Sequence, residues 1–67
     1  MRFAVKEMRE EAGITIEELA EKSGVSIDKI SDFEENRIEI FRSRDISNIA
    51  KALGISASRL FVEWLST

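Results

Sequence analysis

The side chains of this sequence that can do chemistry are carboxylates, ammonium and guanidinium groups and hydroxyls, because histidine and cysteine are absent from its 67 residues. That removes the usual zinc and copper ligands, a disulfide framework and the bases that activate serine nucleophiles. There is no glycine-rich phosphate loop, and neighbouring carboxylates such as Glu17 and Glu18 belong to a solvated first helical turn. No enzyme, cofactor or metal is therefore expected. What remains is recognition at a surface, and the densest stretch for it is residues 27–44. On a helix starting at Ile27, each residue turns about 100°. Ile30, Phe33 and Glu34 then point inward, while Asp28, Ser31, Asp32 and Glu35 point outward. Lys29 is the only cation on this helix, and Arg37, Arg42 and Arg44 come after it.

The elements that must position this face lie around it, over residues 15–36. Thr15 followed by Glu18 is a capping box, in which each side chain satisfies a backbone amide at the start of a helix. Leu19 and Ala20 face inward, and Gly24 is placed to take the left-handed conformation that stops the helix. Val25 drops toward the core, and Ser26 caps the next helix, whose apolar residues are Ile30 and Phe33. Two helices meeting across a short turn that contains glycine make a helix-turn-helix.

The corner Gly-Val-Ser at residues 24–26 has two counterparts, Gly-Ile-Thr at 13–15 and Gly-Ile-Ser at 54–56, and each glycine of the chain begins one of them. In each, glycine ends a helix, the branched residue packs and the hydroxyl caps the next helix, for about 1 kcal/mol. A first helix is expected over about 3–12, with Val5, Met8 and Ala12 on one stripe. Asn36 is the expected left-handed stop after the third helix. Residues 37–41 alternate as an extended loop would, laying Ile38 and Ile40 across the core. Ser43 is the expected cap of a fourth helix carrying Asp45 in its first turn and Ile46, Ile49, Ala50 and Leu53 inward. Leu60, Phe61, Trp64 and Leu65 form a last stripe at helical spacing. The whole reads as an all-α chain of one domain over 1–67, without proline and rich in helix formers. The amino terminus lacks a signal peptide's apolar run and no segment is long enough for a membrane span, so a soluble, cytoplasmic protein is expected.

The run Arg-Glu-Glu-Ala-Gly-Ile-Thr-Ile-Glu-Glu-Leu-Ala-Glu-Lys-Ser-Gly-Val-Ser at 9–26, with Ile-Ala-Lys-Ala-Leu-Gly-Ile-Ser at 49–56 and Leu60-Phe61, resembles the phage repressor and Cro type of helix-turn-helix domain, the XRE family. The resemblance covers nearly the whole chain. It implies a compact five-helix, lambda-repressor-like domain of a transcriptional regulator, a repressor in the first instance, that binds double-stranded DNA as a two-fold dimer through a major-groove helix. The positions matching the family's base-reading residues are Ile27, Asp28, Lys29 and Asp32. Those matching its phosphate-contacting loop are Asn36, Arg37, Arg42 and Arg44. An arginine at Arg9 is implied to pair with a glutamate on the recognition helix, here Glu34. The family's usual backbone-contacting glutamine is replaced by Ile16.

The departure from the family is one of charge. The outward face of the recognition helix is acidic and the chain is formally −3, whereas duplex affinity rests largely on neutralised phosphates. A carboxylate can still accept from cytosine N4, and Ile27 can touch a thymine methyl. Two functions of different class therefore stand: a sequence-specific DNA-binding regulator, and a degenerate helix-turn-helix whose acidic helix face docks on a protein partner. The stripe of Phe61, Trp64 and Leu65 also has two readings, closure of a thin core against the first helix or the contact of a homodimer.

Overall fold

The computed structural model describes residues 2–37 and 42–62. In chain order its elements are β1 (Arg2–Phe3), α1 (Val5–Ala12), α2 (Ile16–Ser23), α3 (Ile27–Glu34), α4 (Ser43–Leu53), a 3-10 turn (Ala57–Leu60) and β2 (Phe61–Val62). The described residues thus hold four α-helices and a 3-10 turn, joined to one minimal antiparallel bridge, rather than five helices.

The bridge accounts for both departures at the chain ends. β1 pairs with β2 in the register Arg2 with Val62 and Phe3 with Phe61. The first helix begins at Val5, where its apolar stripe begins and two residues later than its expected start, because Phe3 is spent on the bridge and its ring on the core. A fifth helix would need the Leu60 carbonyl for an amide of its own next turn. Ala4 N–H donates to that carbonyl instead, at 2.7 Å, and the chain leaves the 3-10 turn as a strand. The backbone of Phe61 is thereby placed in β2, while Trp64 and Leu65 lie outside the described residues, as do Ile38 and Ile40.

The helical corners have the local chemistry expected of them. Gly13, Gly24 and Gly54 all have positive φ, between 72° and 74°. Thr15 Oγ1 accepts the Glu18 N–H at 3.1 Å while Glu18 Oε1 accepts the Thr15 N–H at 3.0 Å, closing the capping box. Two caps differ. Arg42, not Ser43, is the cap position of α4, and no side chain caps that helix; Ser43 is its first helical residue. Ser56 Oγ meets Ser58 Oγ at 3.1 Å instead of a backbone amide.

One apolar core joins all of these elements: Phe3 and Val5, Leu19 from α2, Val25 from the turn, Ile30 and Phe33 from α3, Ile46, Ile49 and Ala50 from α4, and Leu60. Phe3 and Phe33 meet edge to face, with ring centroids 5.1 Å apart. Met8 packs against this core, but Ala12 stays exposed at the rim of a shallow groove with Met8, Leu53 and Ile55, so the buried stripe of α1 is shorter than expected. No helix among the described residues is long and apolar enough to cross a membrane.

Candidate nucleic-acid interface

The helix-turn-helix is held from within. Ser26, in an extended conformation, accepts the Lys29 N–H through Oγ at 3.3 Å and starts α3. Ser23, at the end of α2, is buried and its Oγ accepts the Val25 N–H at 3.1 Å, so the turn closes on a side chain as well as on glycine. Nothing in the sequence pattern singled out Ser23, since a serine in a last helical turn is ordinarily a solvated one. Ile30 and Phe33 are then fully buried, and the remainder of α3 is set around them.

Arg9 and Glu34 come together across the domain. Arg9 Nε donates to Glu34 Oε2 at 2.6 Å and Nη2 to Oε1 at 3.2 Å, while Nη1 donates to the Ile14 carbonyl at 3.0 Å. The two side chains are only 15% and 8% exposed, so this bidentate pair fixes the last turn of α3 to α1 and to the corner after it. The hydrogen bond that Arg9 donates to Glu34 is the largest influence holding Arg9 more firmly protonated than usual, ahead of the opposing effect of burial.

The outward face is assembled differently. Ile27 is 43% exposed, the one large hydrophobic side chain in the open among the described residues. Asp28 is exposed beside it, and Asp32 is half-buried one turn on. Lys29 does not stand free: its Nζ donates to Asp45 Oδ2, from the first turn of α4, at 3.2 Å. Arg37, just past α3, is held by the end of that helix. Its Nη2 and Nε donate to Asp32 Oδ1 at 2.9 and 3.2 Å, and its Nη1 donates to Glu35 Oε1 at 2.8 Å. The hydrogen bond to Asp32, then the charge of Glu35, raise the Arg37 pKa above its ordinary value. Ser31 Oγ donates to Glu35 Oε2 at 3.2 Å.

Asn36 takes the left-handed conformation, φ 57°, and its Oδ1 accepts the Phe3 N–H at 2.7 Å. Its carbonyl oxygen is thus structural, and Nδ2 is the group left to donate to a phosphate. Arg42 and Arg44, at the start of α4, are exposed and make no ion pair or side-chain hydrogen bond among the described residues. Of the candidate surface cations, then, two are answered by carboxylates and two are not, among the described residues. No cluster of metal-ligating side chains occurs among the described residues.

A family model described as a helix-turn-helix domain matches residues 4–62. No curated protein and no solved structure matches the chain. The matched span takes in every element from α1 to β2, with the α2–turn–α3 unit at its centre, and the chain belongs to that helix-turn-helix domain family.

Proposed function

We propose that this protein is a DNA-binding transcriptional regulator that lays α3 in the major groove, acts as a two-fold dimer and represses by occupying its site. The observation that carries the reading is the division of α3 into a buried side, Ile30 and Phe33, and an open first turn bearing Ile27 and Asp28. An N-terminal turn presented beyond a rigid helix-turn-helix is the geometry that reaches base edges. Ile27 suits a thymine methyl, and Asp28 suits the N4 amino group of cytosine. Arg42 and Arg44 are the phosphate anchors, and Asn36 Nδ2 is a further donor. Two such cations per protomer are few, and a two-fold dimer doubles them. The stripe of Phe61, Trp64 and Leu65 either forms its contact or closes the core, and Trp64→Ala separates the two: a folded monomer supports the contact, and loss of folding supports the core.

Selection of bound sequences from a random duplex library, at low and at physiological salt, tests the proposal. A two-fold symmetric motif with half-sites about 34 Å apart supports it. No enrichment by helical, folded protein overturns it.

A second reading keeps the fold and gives the acidic face to a basic protein partner. The observation in its favour is that Lys29 and Arg37 are already tied to Asp45, Asp32 and Glu35, leaving the surface of α3 net negative. Replacing Asp28 and Asp32 together by Asn separates the two readings. Tighter binding to random duplex with the cognate function kept favours the regulator, and loss of a protein partner favours the interaction module.

A further inference from the structure

Lys29 is the only cation in α3, and its partner belongs to a different helix. Asp45 is well seated there. Its backbone N–H donates to the Arg42 carbonyl at 3.0 Å, and its side chain is only 16% exposed, against 50% for Lys29. A carboxylate in the first turn of a helix is also favoured by the helix dipole. The fixed member of the pair is therefore Asp45, and the flexible lysine stem brings its ammonium to it. Arg37 repeats the arrangement with two carboxylates, Asp32 and Glu35, against one guanidinium. Lys29 on α3 and Arg37 just beyond it thus both already have the kind of partner that a phosphate would be.

We infer that Asp45 sets the affinity of the DNA interface: it occupies Lys29 as a phosphate would, so that DNA must exchange this carboxylate for one of its own phosphates before Lys29 contributes. The inference rests on the DNA-binding reading proposed above. Its physical basis is competition for one charge. An ammonium that gives up an internal carboxylate for a phosphate gains little net Coulomb energy, whereas an unpaired one gains the whole contact and the release of a counterion. Asp45 lies on α4, outside the recognition helix, yet it decides what the one cation of that helix is worth. The result is a surface with little hold on non-specific duplex, on which Ile27 and Asp28 account for a larger share of discrimination.

The test is a double-mutant cycle on the full chain: Asp45→Asn, Lys29→Ala and the two together. Glu11→Gln, on α1, removes the same unit of charge from an exposed residue that has no ion pair among the described residues. Binding to a short mixed-sequence duplex is measured between about 50 and 200 mM salt, with circular dichroism checking each fold. D45N should bind about threefold tighter than the parent, with a salt slope steeper by about one. E11Q should change affinity less and leave the slope alone. K29A should cost little in the parent and several-fold in D45N, a coupling that a merely structural Asp45 does not produce. Equal effects of D45N and E11Q, or equal costs of K29A in both backgrounds, overturn the inference and leave the DNA reading intact. Weaker binding by D45N overturns it too, since Asp45 would then be aiming Lys29 at the duplex. Should D45N fail to fold, K29A alone decides: a tenfold loss in the parent means Lys29 already meets phosphate. Failure of every folded variant to retain duplex removes the DNA reading and the inference with it.

Discussion

Asn36 Oδ1 accepts the Phe3 N–H at 2.7 Å, joining the residue just past α3 to β1. The bond falls where an amide would otherwise be stranded. Ala4 donates to the Leu60 carbonyl, so in the alternating antiparallel pattern Phe3 and Phe61 form the pair whose backbone groups point away from each other. Asn36 thus seals the outer edge of β1, and it does so from a left-handed conformation that also stops α3. The Phe3 ring lies across Phe33 from the same helix. Helix end, strand edge and core are one joint, and α3 is held in place by it.

Substitution at Asn36 should resolve its two roles. Asn36→Gly keeps the positive φ and loses the hydrogen bond, for a cost of about 1 kcal/mol. Asn36→Ala loses both, and the left-handed conformation adds about 1–2 kcal/mol for a residue with a Cβ. Urea melts should rank parent above Gly above Ala. An alanine variant as stable as the glycine variant would show that the backbone conformation carries no cost.

The pair of Arg9 and Glu34 should be worth more than its place near the surface suggests. Truncating Arg9 leaves the Glu34 carboxylate, 8% exposed, without its counter-charge, and breaking a buried pair in this way costs about 3 kcal/mol. In a domain of this size each kcal/mol lowers the melting temperature by about 4–8 °C. Arg9→Ala should therefore melt well over 10 °C below the parent by that scaling, while Lys6→Ala, an exposed position on the same helix, should melt within a few degrees of it. Similar curves for the two variants would remove the pair from the stability of the fold.

The capping box gives a pH dependence with a definite sign. Glu18 has its carboxyl pKa lowered, first by the Thr15 backbone N–H and then by the Thr15 side chain. A folded pKa below the unfolded value gives stability that is present above the unfolded value, near 4.5, and is lost as pH falls through the folded one. Glu18→Gln keeps the acceptor without the charge. It should be less stable than the parent at neutral pH, and the gap should close in acid, as chemical denaturation at a series of pH values would show. A gap constant across that range would mean that the charge of Glu18 does nothing.

What was legible in the sequence was what neighbouring residues decide. The glycine corners, the box of Thr15 and Glu18, Val25 in the core and the inward Ile30 and Phe33 are each set by chemistry within a turn or two. The end of the chain was not legible, because the periodicity of Leu60 and Phe61 suits a helix as long as the partner of the Leu60 carbonyl is unknown. That partner is Ala4, at the other end of the chain. The cap of α4 was misplaced by one residue, since Ser43 has the right chemistry and only the backbone of Arg42 shows where the helix begins. At the interface the cations were legible and their occupancy was not. Lys29 and Asp45 are separated by 16 residues, and no spacing rule joins them.

The same occupancy separates the arginines of the interface. Arg42 and Arg44 make no ion pair among the described residues, so each should behave as a plain phosphate anchor. Arg42→Ala and Arg44→Ala should each weaken duplex binding evenly across sequences and reduce the salt slope by about one per site. Arg37 carries two carboxylates on one guanidinium, and the group of three is net negative. Arg37→Ala releases Asp32 and Glu35 as bare charges, so its DNA-binding loss comes from added repulsion rather than a lost contact. Its slope should fall by less than that of the other two, and its affinity loss should be confined to low salt, where repulsion is least screened. Binding isotherms for the three variants over a salt series distinguish these outcomes. A slope reduced equally by all three would mean that Arg37 leaves its carboxylates to meet phosphate as freely as Arg42 and Arg44 do.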